Sequence, residues 1–332
     1  MVIHLNKSTD SITAEELGRK YEAICFRDGD RYVLVTSSKL KEADASLKAA
    51  AEAIFVTDTD IQLASKQYIA DTRSIDLGVT QLGGKTNNTV VITGPCSVES
   101  EEQIEQAANL CLELGVKVLR AGAYKPRTSP YTFQGMGLDG LKLLDKMRSK
   151  YGLKIITEVR DSTHVDEVIE YADIVQVGAK AMYDQGILRK CGKSNKAVLI
   201  KRGFGSTLQE FVQAAEFVLS SGNANVMLCE RGIRTFETKT RFTLDLCGVA
   251  WLKQYTNLPV ILDPSHAIGY AYGVADLSRA CVAMGVDGLL IETHPNPKVA
   301  KSDAEQQLNF EQFRALHKSL GAVASAVERK IV

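Results

Sequence analysis

The 332-residue chain is 45% hydrophobic and 24% charged, which suits one large globular domain or a large and a small one. Forty Lys and Arg balance forty Asp and Glu, so no global field draws it to nucleic acid or a membrane surface, and any anion site must come from cations gathered locally. No apolar run is long enough for a membrane span, MVIHLNKSTD lacks the basic-then-apolar order of a signal peptide, and seven cysteines without a CxxC pair point to a reducing cytoplasm.

Residues 1–75 read as a small module. VIHL (2–5) is a strand and TAEELGRKY (13–21) a helix. AICFRDGDRYVLVT (23–36) alternates apolar residues around Asp28-Gly29-Asp30, a hairpin signal. KEADASLKAAAEA (41–53) is rich in helix formers, and AIFVTDTDI (53–61) ends the module as a strand. The order β-α-β-β-α-β is that of a ferredoxin-like fold. A polar, glycine-containing connection, DTRSIDLGVTQLGGKTNN (71–88), leads into the rest of the chain.

Residues 76–332 follow a different rhythm. Eight short apolar strands appear: VVITG, KVLRAG, KIITEV, IVQVGA, AVLIKRG, VMLCERG, PVILDPSH and GLLIETH. Amphipathic segments such as EEQIEQAANLCLELG and LQEFVQAAEFVLSSG separate them, often closed by a glycine. Eight βα repeats predict an α/β fold, a (β/α)8 TIM barrel. An open doubly wound sheet is the competing reading, and the missing GxGxxG after the first strand counts against it.

Such barrels carry chemistry at the C-terminal ends of their strands. Here those ends supply two sets of residues. The first is cationic: Arg120, Lys125, Arg127, Lys180, Lys201, Arg202, Arg231 and Arg234. So many cations in one mouth suit a ligand with more than one anionic group, because guanidinium forks and ammonium points both bind phosphate and carboxylate. The second is Cys96, His266, Glu292 and Asp303, which converge if strands one, seven and eight are neighbours. A thiolate, an imidazole and two carboxylates suit a first-row divalent metal. Spacing alone equally allows a buried cysteine and a capped loop histidine.

The motifs GPCSVES, RAGAYKPRTSPYTFQG, KRGF, LCERGIRTFE, DPSH and HPNP…KSDAEQQL resemble 3-deoxy-D-arabino-heptulosonate 7-phosphate (DAHP) synthases of the short microbial type, which carry an N-terminal ferredoxin-like domain. The resemblance covers the barrel, from about Thr89 onward; in the N-terminal module it is one of layout. It implies condensation of phosphoenolpyruvate with erythrose 4-phosphate, the first step of the shikimate pathway to aromatic amino acids. On it, Cys96, His266, Glu292 and Asp303 match metal ligands, with Mn2+ the first choice and Fe2+, Co2+, Zn2+ or Cd2+ also compatible. Arg120, Lys125, Ala179, Lys180, Lys201 and Arg231 match phosphoenolpyruvate-binding positions. Pro126, Arg127, Thr128 and Ser129 match the erythrose 4-phosphate loop. Lys125, Glu158, Lys201 and His266 are the expected catalytic groups.

The resemblance also implies a homo-oligomer, often a tetramer, in the cytoplasm, and an N-terminal module that binds an aromatic amino acid and regulates the barrel. No effector residues are legible in AICFRDGD. The chain departs from the family pattern at Lys180, where an arginine is usual, and in AMYDQGIL (181–188), AIGYAYGVADL (267–277) and Thr293. Two other readings remain: 3-deoxy-D-manno-octulosonate 8-phosphate synthase, which typically has Ala-Asn-Arg-Ser-Ser at this loop, and a non-catalytic sugar-phosphate or amino-acid sensor.

Overall fold

A computed structural model describes residues 1–125 and 129–332. The N-terminal module consists of β1 (Val2–Leu5), α1 (Ser11–Lys20), β2 (Ile24–Asp28), β3 (Arg31–Val35), α2 (Ala45–Ala50) and β4 (Ala51–Phe55). Its antiparallel sheet has the order β2-β3-β1-β4, as a ferredoxin-like βαββαβ unit requires. Asp10 and Asp44 cap the two helices by accepting amide hydrogens from Thr13 and Leu47. The second helix is shorter than its composition predicts. Ala51 and Glu52 open β4 instead, and the strand read over 53–61 ends at Phe55, with Val2 opposite Phe55 and Ile3 opposite Ile54. Strand pairing and burial outweigh a helix preference worth only tenths of a kcal/mol per residue, roughly.

Period-two alternation gives this sheet two apolar faces. Ile3, Leu5 and Leu34 pack with Ala14 and Leu47 in the module's own core. Val2, Val33 and Val35 point the other way and join Ile61, Leu63 and Ala64 in the core shared with the barrel helices.

The barrel strands are β7 (Asn88–Gly94), β8 (Val118–Arg120), β9 (Lys154–Val159), β10 (Ile174–Val177), β11 (Ala197–Lys201), β12 (Val226–Glu230), β13 (Val260–Leu262) and β14 (Gly288–Glu292), all at the sites read from sequence. They are parallel, each pairs with the next, and β14 closes onto β7 from Gly288–Val90 to Glu292–Gly94. Around them lie α3 (Glu101–Leu114), α4 (Leu138–Tyr151), α5 (Val165–Tyr171), α6 (Gln185–Gly192), α7 (Leu208–Leu219), α8 (Leu246–Tyr255), α9 (Pro264–Ile268), α10 (Ala271–Ala283) and α11 (Phe310–Ala326). The polar connection holds a short hairpin, β5 (Ser74–Asp76) and β6 (Gln81–Gly83). Its Ile75, Leu77 and Leu82 pack with Val90, Ile92, Val118 and Ile174, which closes the N-terminal end of the barrel interior. A two-residue strand, β15 (Lys330–Ile331), pairs with the start of β7. Among the described residues no helix is long and apolar enough to cross a membrane.

The seam between module and barrel is polar at its centre. Glu216 of α7 is half-buried and accepts three consecutive amide hydrogens, from Gln62 (2.7 Å), Leu63 (3.2 Å) and Ala64 (2.8 Å). Asn257 donates to the carbonyls of Leu63 and Ser65, and Arg73 donates to Leu63 and to the Asn257 side chain. Burial pushes the Glu216 carboxyl up to about 7 in spite of the three amides.

Candidate active site and metal centre

Closure of the barrel gathers the ends of all eight strands at one mouth. Lys125, Glu158, Gly178, Ala179, Lys180, Lys201, Arg231, His266 and Asp303 line a single cleft of about 250 Å³ there, together with Phe204, Arg241 and Phe242. Gly178 leaves room for the Glu158 carboxylate, which any side chain there would displace. A Cβ would lie 2.0 Å from the Glu158 carboxylate, which Gln176 fixes by a 2.8 Å hydrogen bond.

Cys96, Glu292 and Asp303 offer ligand atoms that lie within 4.8 Å of one another. Cys96 Sγ is 3.2 Å from Asp303 Oδ2. His266 Nε2 is 3.6 Å from Glu292 Oε1 and 3.9 Å from Asp303 Oδ2, so all four predicted ligands converge. These spacings fit one ion with bonds of about 2.0–2.3 Å, and the mixed S, N and O donor set suits a first-row divalent metal. Burial, then the Glu292 charge, pushes the Cys96 thiol up to about 12, although the Lys125 ammonium works in the other direction. Burial would raise Asp303 too, but His266 and Lys125 hold it well below the usual carboxylate range.

The ligands are braced from behind. Asp263 caps α9 by accepting the His266 amide at 2.9 Å, and its other oxygen sits 2.7 Å from His266 Nδ1 and 2.6 Å from Lys201 Nζ. A proton on Nδ1 leaves Nε2 as the donor toward the centre. Burial would raise Asp263, but His266 and then Lys201 hold it well below its ordinary value. Gln306 donates to Glu292 at 2.6 Å and accepts from Arg241 at 2.7 Å, while Gln307 accepts the Cys96 amide at 3.0 Å. Asp303 itself has φ of 46°, the left-handed region that Asp tolerates better than most residues, and this turn aims its carboxylate inward.

The cations are not equivalent. Arg120 is buried against Glu292, with its Nε lacking any partner among the described residues. Lys125 Nζ lies 3.0 Å from Cys96 Sγ and 3.1 Å from the Cys96 carbonyl, at the border of the two sets. Burial would lower its pKa, but Cys96 and Glu158 raise it. Arg202 belongs to no ligand site: Glu230 and Asp245 neutralise it at 3.0 and 2.8 Å, which corrects its place in the cationic set. Arg234 is exposed and lies over the Phe204 ring outside the cleft. Ser129 is not among the residues that line the cleft, and its hydroxyl accepts the Tyr131 amide. Pro126, Arg127 and Thr128 lie outside the described residues. Phe204, Arg241, Phe242, Asp263, Gln306 and Gln307 were not singled out from sequence. The two glutamines sit within KSDAEQQL, Asp263 within DPSH and Phe204 within KRGF, while Arg241 and Phe242 lie in none of the quoted motifs.

A closed parallel barrel whose mouth sets clustered cations beside a thiol, an imidazole and two carboxylates defines a class of barrel enzymes that act on anionic small molecules and have donors for a divalent ion. The chain belongs to the DAHP synthetase I family, whose model matches residues 60–329. It is 41% identical over 314 residues to a phospho-2-dehydro-3-deoxyheptonate aldolase of Thermotoga maritima, covering 95% of this chain and 90% of that protein. The crystal structure of the phospho-2-dehydro-3-deoxyheptonate aldolase (DAHP synthase) of Thermotoga maritima superposes with a TM-score of 0.81 at 38% identity, covering 100% of this chain and 99% of the other. A 2-dehydro-3-deoxyphosphooctonate aldolase of Syntrophotalea carbinolica is 33% identical over 263 residues, 74% of this chain and 94% of that protein.

Proposed function

We propose that this chain is a DAHP synthase that condenses phosphoenolpyruvate with erythrose 4-phosphate and water to give DAHP and phosphate. The observation that carries this reading is Lys125, which lines the anion cleft while its ammonium lies 3.0 Å from the Cys96 sulfur, so one residue links anion binding to the metal centre. Lys180, Lys201 and Arg231 bind the phosphoenolpyruvate phosphate and carboxylate, with Arg120 Nε as a further donor and the Ala179 backbone beside the phosphate. Pro126, Arg127, Thr128 and Ser129 receive the sugar phosphate. The cations reduce repulsion between two anionic substrates and hold them for reaction.

Cys96, His266, Glu292 and Asp303 hold one divalent ion, with Mn2+ the first choice. When bound, it supplies Lewis acidity at the sugar aldehyde. In the reaction, C3 of phosphoenolpyruvate bonds to the aldehyde carbon, water oxygen adds at C2, and the C2–O bond to phosphate breaks. Glu158, fixed by Gln176, and Lys125 flank the same cleft. Asp263 keeps His266 and Lys201 in register, so both move as one unit.

Metal-supplemented protein should consume phosphoenolpyruvate, followed by its ultraviolet absorbance, with erythrose 4-phosphate as the acceptor. Consumption with arabinose 5-phosphate alone would overturn the reading in favour of octulosonate 8-phosphate synthesis. Ligand binding that survives EDTA, with no turnover after Mn2+ is restored, would favour a sensor.

Residues 1–75 form the regulatory unit of this proposal and 76–332 the catalytic one, in a homo-oligomer of tetrameric order. The sheet face formed by Val2, Val33 and Val35 packs on the barrel helices, which gives the module a mechanical route to the barrel. Titrating the intact enzyme with tyrosine and phenylalanine tests the regulatory part; turnover indifferent to both at millimolar concentration counts against it.

A further inference from the structure

The chain leaves β12 at Arg231-Gly232, runs outward, and returns through an antiparallel bridge between Ile233 and Thr243. That return brings Phe242 beneath Arg231. The guanidinium carbon stands 4.2 Å from the Phe242 ring centroid. Phe204 stacks on Phe242 at 5.6 Å and 24°, and Arg234 covers the Phe204 ring at 5.0 Å. Gly232 is what permits the approach: its φ is 97°, and a Cβ there would lie 2.7 Å from Phe242 Cβ. The Phe242 amide is tied to the Ala267 carbonyl at 2.9 Å, one residue beyond His266, so the ring is anchored to α9, the short helix that carries His266.

Arg231 needs such support. Lys201 has Asp263, Arg120 has Glu292, and Arg241 has Asp303 and Gln306. Among the described residues Arg231 has no acidic partner; it is buried and donates one 3.3 Å hydrogen bond to the Gly232 carbonyl. Asp263 and Glu230 act on its charge only from beyond ion-pair distance, and the group in direct contact with the guanidinium is an aromatic face. A ring face attracts a guanidinium and fixes its plane while leaving the N–H edge open, whereas a carboxylate would occupy that edge.

We infer that Phe242, backed by Phe204, is a positioning residue that holds the Arg231 fork open toward an anionic group of the bound substrate. The inference rests on the reading of Arg231 as a phosphoenolpyruvate contact. It bears on an oddity of this chain, since Lys180 supplies only a point charge where the family pattern has a second fork.

The test measures phosphoenolpyruvate binding by calorimetry, and KM and kcat, for wild type, Phe242→Leu and Phe242→Tyr, each checked for an unaltered melting transition. Leu keeps apolar bulk and removes the ring face; Tyr keeps the face. Phe242→Leu should raise the Kd and KM for phosphoenolpyruvate about 5- to 20-fold, with a much smaller change in kcat and in the KM for the sugar phosphate. Phe242→Tyr should recover the wild-type KM. If Leu melts early, Phe242→Met, also ringless, replaces it in the comparison. Leu matching wild type, or Tyr failing as badly as Leu, would overturn the inference while leaving the proposed function standing. Wild-type protein that does not bind phosphoenolpyruvate would overturn both.

Discussion

The barrel mouth and the seam beneath the N-terminal module are both polar and both built on charged side chains that are wholly or partly withdrawn from solvent. They differ in what remains unsatisfied. At the seam, Glu216 takes three amide hydrogens, and Asn257 and Arg73 take the carbonyls of the same segment. At the mouth, Arg231 is in contact with only a ring and one long hydrogen bond, Arg120 Nε has no partner among the described residues, and burial pushes the Cys96 thiol up. A buried polar group without a partner costs about 1–3 kcal/mol, so a fold keeps such groups where a ligand completes them. The seam holds two parts of the chain together; the mouth waits for substrate and metal.

The sharpest way to break the comparison is at the metal centre. Cys96→Ala should lower metal-dependent turnover about 1,000-fold, the scale of several kcal/mol of lost Lewis-acid stabilisation, while circular dichroism and melting stay close to wild type. Unchanged turnover would remove the thiol from the centre.

At the seam the effect should be on stability instead. Glu216→Ala removes the acceptor of three amides and should cost about 2–4 kcal/mol in denaturant unfolding, with kcat at saturating substrate unmoved. The sign of its pH dependence follows from a folded carboxyl at about 7 against an ordinary value of 4.5. Between those values the folded state binds the proton more readily, so Glu216's contribution is full below pH 4.5 and is lost as pH rises to 7. The slope reaches roughly 1.4 kcal/mol per pH unit. Glu216→Gln should flatten that loss; a difference between wild type and Gln that stays constant from pH 4.5 to 7 would show that the carboxyl does not titrate there.

Smaller effects separate bracing from ligation. Gln306→Ala removes the 2.6 Å bond to Glu292 and should weaken Mn2+ binding by about 10- to 100-fold, measured by titrating metal-stripped protein. Mn2+ affinity equal to wild type would make Gln306 a packing residue only. Smallest of all, Lys180→Arg should lower the KM for phosphoenolpyruvate about 2- to 5-fold by restoring a bidentate fork. A rise in KM would mean that the cleft is shaped around lysine.

Much of the barrel was legible because each buried parallel strand is a continuous apolar run, and VVITG, AVLIKRG and GLLIETH carry that signal with polar residues just beyond. The hairpin at 74–83 was not legible. Its strands are three residues each, too short for a period, and only packing under the barrel makes SID and QLG pair. Ala51 and Glu52, at the start of AEAIF, looked helical because alanine and glutamate favour helices anywhere, whereas the partner strand that claims them lies some fifty residues away.

The same division runs through the site. Residue type and motif order determined the donor set in advance: a thiol, an imidazole and carboxylates for a divalent ion, and an excess of cations at strand ends for anions. Only the tertiary structure decided which cations remain for a ligand. Arg202 and Arg231 stand at equivalent places after their strands, yet one meets two carboxylates and the other an aromatic ring. Charge is a property of the residue, but its availability depends on what the closed barrel brings within a few ångströms, and that is set by contacts between segments far apart in the chain.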